Sequence, residues 1–245
     1  MRSGNPAFNS NTFTASPVRA GFGETMTVNG TIHKTGILFL CVLATAAMTW
    51  SALSKDPSAI GAYIAGGAIG GLVFALVTVF KKEWSAVTAP LYALCEGAVL
   101  GSLSGMLETM FPGIAMQAVG LTFGTCFVML LAYRSGLLRA TRKFTIGVIA
   151  ATGGIALVYL TTMVLGMFGV QVPAIYGSGT YGILFSLAVV VIAALNLILD
   201  FDLIEKGAAQ GAPKYMEWYG AFGLMVTLIW LYIEMLRLLT KMRRR

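Results

Sequence analysis

Charge is scarce in this sequence: 11% of its 245 residues are Asp, Glu, Lys or Arg. A soluble domain carries about a quarter. That shortage excludes a soluble enzyme and a disordered regulator. It also excludes a nucleic-acid binder, despite the net charge of +7, because such proteins display their basic residues on an exposed face. Histidine is nearly absent, with His33 alone. The three cysteines, Cys41, Cys95 and Cys126, share no CxxC spacing, so no local metal or redox cluster is expected. No Ser-His-Asp, HExxH, P-loop or GxGxxG context is visible. The chain is therefore expected not to be an enzyme and to need no cofactor or metal.

What is plentiful is apolar sequence, at 57% of residues. A helix needs about 20 mostly apolar residues to cross about 30 Å of hydrocarbon. Seven stretches meet that test: 36–54, 59–80, 86–107, 112–133, 144–168, 178–200 and 216–238. Pro57, Pro112, Pro173 and Pro213 fall at or beside the connections, where a missing N–H does least harm. The expected fold is all-α, a polytopic membrane domain over 36–245. Residues 1–35, rich in Asn, Ser, Thr, Gly and Pro, read as a flexible polar tail without the pattern of a signal peptide.

Lys and Arg bias orientation. With the N-terminus cytoplasmic, the inner set is Arg2, Arg19, Lys34, Lys81, Lys82, Arg134, Arg139, Arg142, Lys143, Lys206 and Lys214. Lys55 and the C-terminal Arg237, Lys241, Arg243, Arg244 and Arg245 fall outside. The basic tail resists that placement, so a re-entrant or broken last helix stays open beside a regular crossing.

Glycines recur four apart at Gly66/Gly70, Gly67/Gly71, Gly97/Gly101/Gly105 and Gly120/Gly124. Small residues at this spacing let helix backbones approach in lipid, so spans two, three and four are expected to pack closely.

An ionisable group at mid-span costs about 2.5–3.5 kcal/mol and faces a partner or water. Glu96 lies near mid-span, so either it makes an interhelical hydrogen bond or it borders a wet, functional cavity. Asn196 and Asp200 are i, i+4 on one face, while Asp202 is turned about 200° from Asp200 and can reach Lys206. Glu217 and Glu234 on the last span are possible partners of the aspartates. Carboxylates brought together share a proton and attract cations.

Three segments carry a resemblance: Tyr92-Ala-Leu-Cys-Glu-Gly-Ala-Val-Leu-Gly101, Leu199-Asp-Phe-Asp-Leu-Ile-Glu-Lys-Gly207 and Trp230-Leu-Tyr-Ile-Glu-Met-Leu-Arg-Leu-Leu239. In order and spacing the chain resembles the Bax-inhibitor family, in particular its bacterial members. The resemblance implies a seven-helix bundle with a central last helix and a pH-sensitive calcium leak gated by an acidic pair on the last two helices. Phe201-Asp202 matches the family's first acidic position. The second matches Glu234 by motif and Glu217 by depth. The implied setting is a bacterial inner membrane, with protons, cations such as calcium and the lipid bilayer as partners. The alternative is a regulator that binds another membrane protein, such as a membrane-anchored protease. A proton-coupled transporter uses the same intramembrane carboxylates.

Overall fold

The computed structural model describes residues 24–53, 55–170, 172, 175 and 177–244. Seven helices are long and apolar enough to cross a membrane: α1 Val28–Leu53, α2 Ile60–Phe80, α3 Ser85–Met110, α4 Ile114–Arg134, α5 Arg142–Met167, α6 Thr180–Ala209 and α7 Met216–Arg243. Among the described residues the only strand-like pairing is one bridge, Thr25 to Pro213.

The polar tail expected over 1–35 needs correcting. Residues 1–23 lie outside the described residues, but α1 already begins at Val28. Its first two turns carry Asn29, Gly30, His33 and Lys34, so their hydropathy is low. They are helical because Glu217 of α7 holds Thr27 and Lys34.

The last helix is neither re-entrant nor broken. α7 runs 28 residues without interruption, about 42 Å at 1.5 Å per residue. Seven helices of membrane-crossing length set Glu24 and Arg244 on opposite faces of the bundle. On the N-terminal face Met26 N–H donates to Ala212 O at 2.7 Å, and Ser85 Oγ donates to Tyr215 O at 3.1 Å. On the C-terminal face Arg243 donates to Pro112 O at 2.7 Å. Three of the basic residues that argued against a regular crossing have partners in the bundle, and Arg245 lies outside the described residues. Arg237 pairs with Glu234, Lys241 donates to three oxygens, and Arg243 also reaches Gln117.

α7 is the hub, packed against α1, α3, α4 and α6. In the most apolar stretch of α6 and of α7, 56% of residues are buried, against 11% in α5. Tyr219, Phe222, Met225, Leu231 and Leu236 of α7 are almost fully enclosed. The α6–α7 turn closes with Gly211 at φ +67°, a left-handed backbone that suits glycine.

The glycine stripes work on α2 and α3 but not on α4. A Cβ on Gly97 would sit 2.0 Å from Thr45 Oγ1 and 2.4 Å from Val42 O; one on Gly101 would sit 2.3 Å from Ala46 O. The α1 backbone therefore lies directly on α3. Gly67 and Gly71 bring α2 onto Cys95, Val99 and Glu96 in the same way. Nothing lies within 4 Å of a Cβ on Gly120 or Gly124, so that stripe lies at no helix contact. Gly97→Ala is expected to lower unfolding free energy by about 1–3 kcal/mol through overpacking, whereas Gly120→Ala should be neutral or slightly stabilising. Thermal unfolding of the two variants in the same detergent checks the contrast.

Candidate functional site

The acidic residues singled out from sequence occupy several places, most of them on the α6–α7 hairpin. Glu217, in the first turn of α7, is fully buried. Thr27 donates to its Oε1 twice, from N–H and from Oγ1, each at 2.9 Å. Lys34 of α1 pairs with its Oε2, and Lys214 Nζ lies 3.4 Å from Oε1. Lys34 also lies over the Trp218 ring at 5.6 Å. A Cβ on Gly30 would fall 2.1 Å from Glu217 Oε1, so glycine is what lets α1 come this close. The strap before α1 continues the contact: Lys214 N–H donates to Glu24 O at 3.1 Å. Partial desolvation opposes the Lys214 ammonium, but Glu217 and Glu24 outweigh it and hold its pKa above the usual lysine value.

Glu234 lies 17 residues further along α7, about 25 Å away, and is 1% exposed. Its Oε1 accepts from Tyr159 Oη of α5 at 3.0 Å and from Arg237 Nη1 at 2.7 Å. Arg237 also donates to Tyr159 Oη and stacks over that ring, 4.9 Å from its centroid. Lys241, one turn on, acts on Glu234 electrostatically.

On α6, Asp200 is fully buried and lies within electrostatic reach of Cys126 of α4. Asp202 is turned away and pairs with Lys206, as the helical spacing predicts. Asn196 donates to Thr152 Oγ1 of α5 at 2.8 Å and to Ile192 O at 2.9 Å. Glu96 faces Gly71 of α2, whose Cβ would fall 2.7 Å from its Oε1.

Asp202, Glu217 and Glu234 are thus each matched to a cation, and one continuous helix separates the two glutamates. Among the described residues no three His, Cys, Asp or Glu side chains gather as a metal cage would require. The arrangement resembles two latches: Glu217 ties α7 to α1 near the N-terminal face, and Glu234 ties it to α5 towards the C-terminal face.

Sequence reasoning missed Thr27, Lys34, Tyr159 and Lys241. Two signals were present. Thr27, Gly30 and Lys34 recur at i, i+3, i+7, one helical face, and Glu234 and Arg237 are i, i+3. Tyr159, on another helix, carried no local signal.

No curated protein and no solved structure matches the chain. A family model described as Bax inhibitor 1 like matches residues 5–244, and the chain belongs to that family.

Proposed function

We propose that this membrane protein is a passive cation leak, permeable to calcium, whose opening responds to pH through the α6–α7 hairpin. The observation that carries the reading is the burial of Asp200, Glu217 and Glu234 on the two most enclosed helices. Carboxylates at such depth are costly and mark ion or proton paths. Glu217 faces Lys34, Lys214 and Thr27; Glu234 faces Arg237, Lys241 and Tyr159. While ionised, the two glutamates hold the hairpin against α1 and α5. Protonation removes the charge that each cation neutralises, so acidification loosens both latches and flux rises as pH falls.

Carboxylate oxygens suit calcium, and their dispersal suits passage rather than tight capture. Lys34, Lys81, Lys82, Arg134, Arg139, Arg142, Lys143, Lys206 and Lys214 lie towards the N-terminal face; Lys55, Arg237, Lys241, Arg243 and Arg244 lie towards the other. By the positive-inside rule the N-terminal face is cytoplasmic, in the plasma membrane of a bacterium.

The test is purified protein in liposomes with an internal calcium dye. Flux is expected above empty vesicles, rising as pH falls from about 8 to about 3.5, through the ordinary carboxylate values near 4, and altered by Glu234→Gln. Flux equal to empty vesicles throughout, or indifferent to that substitution, contradicts it. Uphill accumulation driven by a pH gradient instead identifies a transporter.

The strap supports a second reading, regulation of another membrane protein, because Glu24 to Thr27 dock at the α6–α7 turn. Deleting residues 1–23 separates the two: a leak survives it, whereas a tail-mediated partner contact is lost from a pull-down.

A further inference from the structure

A cavity of about 580 Å³ opens between α1 and α4. Leu43 and Trp50 of α1 and Met116 of α4 form its rim, 45%, 39% and 77% exposed, in spans whose outer surface is lipid. Gly101 of α3 with Leu228 and Ile229 of α7 form the floor. Phe39 and Phe123 meet edge to face, 5.0 Å between centroids, and close the inner end.

Four hydroxyl or carboxyl side chains line the space, and each already makes a hydrogen bond within the protein. Ser104 and Tyr232 share a hydrogen bond of 2.7 Å, and Thr122 donates to Ala118 O at 2.8 Å. Glu108 accepts from the N–H groups of Gly113 and Ala115. The rest of the lining is hydrocarbon apart from the Trp50 indole, and spaces with such walls favour apolar ligands. The cavity's length identifies the occupant. From Phe39 to Trp50 is eleven residues of α1, about 16 Å, or half of the about 30 Å hydrocarbon core. It runs from mid-membrane to the C-terminal face, the depth of one leaflet.

We propose that this cavity is a binding site for one acyl chain of a membrane phospholipid, entering from the leaflet of the C-terminal face and ending under the Phe39–Phe123 pair. A void beside lipid forfeits its dispersion contacts, and a chain restores them. The chain then rests on α7 at Leu228 and Ile229, between Glu217 and Glu234. The site does not depend on how ions pass.

The test uses the full chain in vesicles doped with a phospholipid carrying a diazirine near one acyl-chain terminus. After illumination, adducts are mapped by mass spectrometry. Adducts within 39–50 and 116–123 are expected about tenfold denser than at Leu157 of α5, which corresponds to one decade of preference. Val119→Trp, which fills the cavity, should abolish the excess while leaving labelling of α5 unchanged. Ala46→Leu serves if that variant does not fold. Labelling no denser than at Leu157, or an excess that persists in the filled variant, overturns the proposal.

Discussion

Lys34→Met is expected to lower the unfolding free energy by about 3 kcal/mol, the scale for stranding a buried charge. Glu217 cannot reach water, since its side chain is fully enclosed. Thr27 and the more distant Lys214 would remain as partners, which keeps the loss from being larger. The reverse change is milder. Glu217→Gln keeps an acceptor for both Thr27 donors, and Lys34, 17% exposed beside Trp218, can extend to the interface. Its cost is expected at about 1–2 kcal/mol, the scale of lost hydrogen bonds to a charged group. The double variant should recover part of the Lys34→Met loss, because the two sites are in contact. Thermal unfolding of the three variants in one detergent checks this. Equal losses for both single variants would contradict the asymmetry.

The second large effect lies at the other end of α7. Lys241 is 4% exposed and its ammonium donates to Ile175 O, to Gly182 O at 3.0 Å and to Ser186 Oγ at 2.8 Å. Lys241→Met is expected to cost about 2–4 kcal/mol, because buried acceptors lose their donor. The relief of no longer burying an ammonium limits that loss. Hydrogen exchange locates the effect: the amides of the last turns of α7 should lose protection while those near Glu217 keep theirs. Protection lost evenly along α7 would show that Lys241 does not act locally.

The seven crossings were legible because hydropathy over a bilayer-length window reports the property that makes a helix insert. Helix ends were less so. α1 starts before 36, α6 runs past 200 to Ala209 and α7 past 238 to Arg243. Each extension carries polar or charged side chains whose partners lie on other elements: Lys34 with Glu217, Glu205 with Tyr133, Lys241 with Ser186. A window along one chain cannot see such partners. The candidate acids were found because charge at depth is costly wherever it occurs. Their pairing was not, since sequence reasoning matched acid to acid across the hairpin and overlooked Lys34 and Tyr159. The basic tail misled for the same reason: a cation that looks costly to move across is tolerable once Glu234 or a carbonyl cage receives it.

In the proposed gate, ionised glutamates hold the α6–α7 hairpin closed. The measurement that tests this is calcium-dye flux in liposomes from about pH 8 to about pH 3.5, through the ordinary carboxylate values near 4, for wild type and for Glu217→Gln. Glutamine carries no charge at any pH, so the variant should leak at the alkaline end as the wild type does at the acidic end. Its remaining pH dependence should shrink to what Glu234 and the aspartates supply. A Glu217→Gln protein that folds, stays tight at the alkaline end and titrates as the wild type does would contradict the claim.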